Sequence, residues 1–203
     1  MPLATPLGHS LCGLACARLL GTRSAAPRWR WYVFAVIAAN AADFDFLPGL
    51  LVGNINEYHQ GAAHSIGAAV VFGLLSPLFC RWLRQRPVPL AVAGALTYAS
   101  HLLLDYFVDD RRPPFGIPVF WPVNGDHWIS PFTVFSGVRH GVPGDSFAVF
   151  IGEVFSRHNV ATLGMELLIL GPVLAFSWYY TRSRWGRPPR MRQAAARRPA
   201  SES

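Results

Sequence analysis

"TYASHLLLDYFV", residues 97–108, reads like the middle of a membrane helix, and its reading decides the fold. The stretch is apolar and aromatic and holds no Lys or Arg. Yet it carries His101 and Asp105, four residues apart. Residues at i and i+4 lie on one helix face. An isolated charge at the centre of a bilayer costs about 2.5–3.5 kcal/mol, so an acid there needs a partner. An imidazole and a carboxylate one turn apart form a two-point chelate for a metal ion.

The rest of the chain fits that setting. Of 203 residues, 52% are hydrophobic and only 14% charged, against about a quarter charged in soluble domains. The mean hydropathy is +0.27. A span needs about 20 mostly apolar residues. Residues 31–52, 62–84, 88–108 and 160–180 reach that length, and 3–20 is a shorter, weaker fifth. Asp43, Asp45, Pro48 and Gly49 interrupt the stretch 31–52 and predict the end of its regular helix. The expected fold is all-α: an integral membrane helical bundle of four to five spans. Four apolar runs of this length disfavour the alternative, a compact soluble helical protein.

Arginine placement gives an independent topology. The formal charge is +7, and every basic residue is Arg. Arg18, Arg23, Arg28 and Arg30 follow the first apolar run. Arg81, Arg84 and Arg86 fill the link 81–87. Arg182, Arg184, Arg187, Arg190, Arg192, Arg197 and Arg198 crowd the tail. Five spans put these regions on one side, which the positive-inside rule makes cytoplasmic. Arg111, Arg112, Arg139 and Arg157 lie in the opposite connector, 109–159. Residues 1–181 are thus expected to be the membrane-embedded domain, and 182–203 a disordered basic tail resting on anionic lipid heads. The expected location is a bacterial-type inner membrane, multi-pass, with the tail cytoplasmic. No nucleic-acid motif accompanies the charge, so the lipid bilayer is the expected partner. No basic segment precedes the first apolar run, so no cleaved signal peptide is expected. Cys12, Cys16 and Cys80 form no CxxC and read as helix-packing residues.

The connector 109–159 holds "RRPPFGIPVFWPVNGDHWISPF", rich in Pro, Gly and aromatics. A long extracytoplasmic loop of this kind is expected to act as a lid or binding wall. Trp121 and Trp128 suit an apolar wall at the interface. A short helix is expected within 145–158.

This topology brings the unusual residues to one depth. His9 lies early in span one, and Asp43 and Asp45 at the outer end of span two. His59 and His64 open span three; His101 and Asp105 close span four. Asp43 and Asp45 diverge on an ideal helix and would converge only if it unwinds. Gly61, in "HQGAAHS", would let the chain turn His59 back toward His64. Ser10 and Ser65 fit helix-start or His-orienting hydrogen bonds. A lone His in a bundle is often only a hydrogen-bonded packing residue, but the set favours a shared site facing the extracytoplasmic side. Mixed His and carboxylate ligands favour Zn, with Mn or Fe(II) next. His9, Asp43, Asp45, His59, His64, His101 and Asp105 exceed the needs of one tetrahedral ion and suit one or two. Two ions bridged by a carboxylate can activate water and stabilise in-line displacement at phosphorus. Asp45, His64 and Asp105 are the candidates to accept the water's proton. Asp126 and His127, in "NGDHW", either complete the site or belong to the loop surface.

Five motifs, "PLGHSL" (6–11), "DFD" (43–45), "HQGAAHS" (59–65), "SHLLLDYF" (100–107) and "GIPVFWP" (116–122), resemble in order those of a known family. It is the LexA-binding, inner-membrane-associated hydrolase family, also described as membrane-bound metal-dependent hydrolases. The resemblance covers about residues 5–125. It implies a helical membrane protein with metal-dependent hydrolase activity. Similarity to zinc-dependent phospholipase C-like enzymes implies a phosphoester substrate, which could be a lipid. The family usually has Arg where this chain has Gln60, so an anion-binding role at that position is not carried over, nor is LexA binding.

Two other classes compete. A proton or metal transporter would use the same residues as a relay, but needs polar residues through the inner half of the bundle, where the sequence offers Cys, Gly, Ser and Asn40. A non-enzymatic membrane regulator or scaffold would use the Arg tail as its partner surface.

Overall fold

The computed structural model describes residues 4–21, 26–51, 58–110, 114–139 and 147–185. Arg23, Arg111, Arg112 and the tail 186–203 lie outside these residues. The described residues are mostly helical, with two isolated bridges and no strand.

Helix α1 (Pro6–Leu20) starts where Thr5 caps it, its hydroxyl accepting from Gly8 N–H at 2.9 Å, with Pro at the first position. Both are ordinary helix-start devices. Helix α2 (Arg28–Asn40) gives way to a 3₁₀ turn, Ala42–Asp45, and then to α3 (Phe46–Leu51). The regular helix therefore stops at Asn40, just before the two aspartates, near the interruption expected from sequence. Helix α4 (Ile66–Leu75), a 3₁₀ turn (Ser76–Phe79) and α5 (Cys80–Leu83) form one apolar rod. Helix α6 (Pro87–Tyr106) carries the opening stretch. Helix α7 (Phe147–Val154) is the short helix expected within 145–158, and α8 (Arg157–Trp185) follows, with Pro172 inside it.

Three helical segments are long and apolar enough to cross a membrane: Ile66–Leu83, Pro87–Tyr106 and Arg157–Arg182. Among the described residues, these three are the candidates for the four to five spans expected from sequence. The other two stretches became α1, 15 residues, and α2, 13 residues. A 13-residue helix rises about 20 Å, short of a roughly 30 Å core.

The chain is apolar outside and polar inside. Leu74, Leu78 and Leu168 are 71%, 81% and 79% exposed, whereas His9, His64, His101 and Glu166 are fully buried. Water would penalise such a surface and lipid would not. The core between α1 and α2 is built from small residues, Ala15, Ala17, Ala35, Ala38 and Ala39. A Cβ on Gly13 would lie 2.7 Å from the Ala35 carbonyl oxygen, so the glycine sets how closely the two helices approach. This is the small-residue packing of membrane bundles, where burial in lipid offers no gain and close contact must supply the attraction.

The arginine-bearing ends meet. Arg18 donates to the Tyr32 hydroxyl and the Trp178 carbonyl and lies 4.5 Å over the Trp178 ring. Arg30 donates to the Trp82 carbonyl at 3.0 Å. At the other end, the loop after α6 is pinned rather than loose. Val108 bridges Phe135 and Ile117 bridges Trp128. The Ser130 and Val134 amides donate to the Tyr106 and Phe107 carbonyls, and Ile66 N–H donates to Val119 O at 2.8 Å. The loop therefore folds over the starts of α4 and α8 and the end of α6.

Candidate metal centre

Four segments deliver ligand atoms to one buried place at the end of the bundle opposite the arginines. The fixed point is His101. Its Nδ1 lies 2.8 Å from the Ala39 carbonyl oxygen. A carbonyl only accepts, so Nδ1 carries a proton, and Nε2 faces inward, where a neutral ring would offer its lone pair. That Nε2 stands 2.9 Å from Asp105 Oδ2, 3.5 Å from Asp43 Oδ1 and 3.2 Å from His64 Nε2. His64 Nε2 is in turn 3.6 Å from both Asp43 Oδ1 and Asp105 Oδ2. Two imidazole nitrogens and two carboxylate oxygens thus form a cage, with its five nitrogen-bearing edges 2.9–3.6 Å long. Ligands on one tetrahedral ion at about 2.0–2.1 Å stand roughly 3.3 Å apart. His9 stacks on His101 with centroids 3.8 Å apart and presents Nε2 3.4 Å from Asp105 Oδ1.

Several polar atoms of this cluster are buried without a hydrogen-bond partner. His9 Nδ1 and Nε2, Asp43 Oδ1, Asp45 Oδ2, His64 Nδ1 and Asp105 Oδ2 are all buried with no hydrogen-bond partner. Several lie near a complementary atom at angles unfit for a hydrogen bond. Unpaired buried polar atoms are rare, because each costs about 1–3 kcal/mol. Lone pairs aimed at a shared point are what metal coordination would satisfy.

Two overlapping groups emerge. His9, Asp43, His101 and Asp105 present atoms within 4.8 Å of one another, as do Asp43, His59 and His64. Asp43 belongs to both. Asp45 belongs to neither group; it is the partner of His59, 2.6 Å from Nδ1, and approaches His64 Nδ1 at 3.1 Å. Asp43 and Asp45 therefore do not converge on one point. They straddle the His64 ring, one at each nitrogen.

The loop 58–65 is shaped differently from the sequence expectation. The left-handed backbone falls on Gln60, φ 59°, not on Gly61. Gly61 instead permits a close pass, since a Cβ there would meet the Tyr58 carbonyl oxygen at 3.0 Å. The Tyr98 hydroxyl holds the loop by donating to Ala63 O at 2.7 Å. Ser65 caps α4, accepting from Ala68 N–H at 3.1 Å, and Ser10 accepts from Asn40 Nδ2 at 3.1 Å.

A family model described as YdjM inner membrane protein matches residues 4–184. The chain belongs to the YdjM inner membrane protein family. No curated protein and no solved structure matches it. The family description supplies a location, the inner membrane, and the residues themselves must supply the chemistry.

A cavity of about 520 Å³ opens beside the centre of this YdjM-family chain, lined by Asp45, Tyr58, His59, Gln60, Pro114 and His127 among others. That size falls within the range of small-molecule pockets. The "NGDHW" pair separates here: His127 lines the cavity, while Asp126 accepts from Asn124 Nδ2 at 2.9 Å on the surface. Trp121 and Trp128, expected as an apolar wall, are each 44% exposed and are not among the cavity's lining residues. Their backbones pack instead, the Trp121 carbonyl against Gly67 and the Trp128 carbonyl against Gly116. Glu166, fully buried on α8, is the site neighbour that sequence reading passed over. It stands alone among the acids of an apolar run, and only that isolation could have marked it.

Proposed function

We propose that this inner-membrane protein is a metal-dependent hydrolase that cleaves a phosphoester. The observation that carries the reading is the cage of His64, His101, Asp43 and Asp105, in which Asp43 Oδ1 and Asp105 Oδ2 are buried without a hydrogen-bond partner. The donor set fits Zn best, with Mn or Fe(II) next. One or two ions would be held, the second by Asp43, His59 and His64. Bound there, a divalent ion would supply Lewis acidity, lowering the pKa of water and stabilising charge on phosphoryl oxygens.

The chain's own residues divide the remaining work. Asp105 and His64 are deeply buried and act as holders. Asp45 borders the cavity and is the best placed to accept the proton of the attacking water, with His59 steadying it. His127, across the cavity, would give a proton to the departing oxygen. Gln60, where the resembled family has Arg, lines the same cavity and offers an amide but no charge to the substrate. On the five-span reading of the arginines, the site would face the extracytoplasmic side and the tail the cytoplasm. That setting, beside a bilayer, favours a lipid phosphoester.

Hydrolysis of p-nitrophenyl phosphate and bis-p-nitrophenyl phosphate by detergent-purified protein tests this. The expected result is activity abolished by a chelator, restored by Zn or Mn, and reduced at least about 100-fold in Asp43→Asn. Metal-loaded protein that hydrolyses neither ester, or activity indifferent to chelation, would contradict it.

A further inference from the structure

Helix α8 supplies none of the converging ligand atoms, yet it buries a carboxylate fully inside the bundle. Glu166 Oε1 accepts from Thr5 N–H at 2.7 Å, and Oε2 accepts from the Thr5 hydroxyl. The same hydroxyl accepts from Gly8 N–H at 2.9 Å. The amide before it, Ala4 N–H, goes to Asp105 Oδ1 at 3.3 Å. The start of α1 is thus divided between a carboxylate of the centre and Glu166. Both Glu166 oxygens act as acceptors, at the positive end of the α1 dipole. Gly8 makes room for it: a Cβ there would lie 2.7 Å from Oε2. The next residue is His9, whose two ring nitrogens have no hydrogen-bond partner of their own. The His9 ring is placed by the helix that carries it, by its stack on His101 and by its approach to Asp105 Oδ1 at 3.4 Å.

We propose that Glu166 is a positioning residue for the metal centre, holding the first turn of α1 through Thr5 so that His9 faces Asp105 and His101. The inference rests on the metal-centre reading. On this account α8 closes the site without touching an ion. Ligand supports of this kind usually change metal affinity about 10–100-fold when removed.

Co(II) binding to detergent-purified protein tests it, read by titration and by the ligand-field absorption spectrum. Wild type, Glu166→Ala, Glu166→Gln, His9→Ala and the double variant Glu166→Ala with His9→Ala are compared. The expected result is roughly tenfold or more weaker binding and an altered spectrum in Glu166→Ala. Glu166→Gln, which still accepts from Thr5 N–H, should bind within about threefold of wild type. The Glu166→Ala loss should vanish once His9 is already gone, as in a double-mutant cycle of coupled residues. If Glu166→Ala does not fold, Thr5→Ala reads the same contact and should weaken binding several-fold, again only with His9 present. Wild-type affinity in Glu166→Ala, or an equal loss in the His9→Ala background, would overturn the positioning role and leave the metal centre standing. No Co(II) uptake by wild type would overturn the metal centre and this inference with it.

Discussion

His101 shows how much one residue's hydrogen bond decides. Because Ala39 O takes the Nδ1 proton, it is Nε2 that faces Asp105 Oδ2 at 2.9 Å. With the ring neutral, that contact between two acceptors is repulsive and becomes favourable with a cation between them. Asp43 is the residue shared by both ligand groups. Asp43→Asn is therefore expected to lower metal stoichiometry as well as affinity, whereas His59→Ala should affect only the group that contains it. Metal titration of the two variants side by side checks this. Gly8→Ala should weaken metal binding several-fold, because the new methyl collides with Glu166. An unchanged affinity there would show that the first turn of α1 tolerates displacement.

At the scale of elements, sequence reading went far and failed for physical reasons. The i, i+4 pair on α6 was legible because helical periodicity alone puts both side chains on one face. The convergence of His9, the DFD turn and the 58–65 loop was legible through topology, since alternating spans bring those ends together. Span count was less legible. Hydropathy counts apolar length alone, whereas the two aspartates marked the break in 31–52 that the 3₁₀ turn at Ala42–Asp45 makes. The left-handed residue was misplaced onto Gly61, because Gly is only the commonest answer to that conformation. Gln60 adopts it at a cost of order 1–2 kcal/mol, within a loop held by Tyr98 and Ser65. Glu166 was illegible because its partner, Thr5, lies 161 positions away in the chain. The small-residue seam between α1 and α2 gives a prediction at this scale. Gly13→Val should separate the helices and destabilise the fold by about 1–3 kcal/mol, seen as a lower melting temperature in detergent. A neutral outcome would mean that the seam is not close-packed.

Across the whole molecule, the inverted distribution of polarity links location to chemistry. Lipid-facing Leu and Phe let the bundle spend its interior on histidines and carboxylates. An interior so rich in unpaired ligand atoms should depend on what it binds. Anything that binds only the folded state stabilises it, by about 2.7 kcal/mol at a hundredfold excess over Kd. Chelation should therefore lower the melting temperature of the purified protein, and added Zn or Mn should restore it. Deletion of 186–203 should change neither metal binding nor hydrolysis, since none of the converging ligands belongs to that segment. Loss of a cellular phenotype with hydrolysis intact would instead favour the regulator reading. The most direct measurement is elemental analysis of detergent-purified protein, wild type beside the His101→Ala, Asp105→Ala double variant. The account predicts one or two equivalents of Zn, Mn or Fe per chain in wild type, lost in the variant. Well-folded wild type that holds no metal even after reconstitution would contradict it.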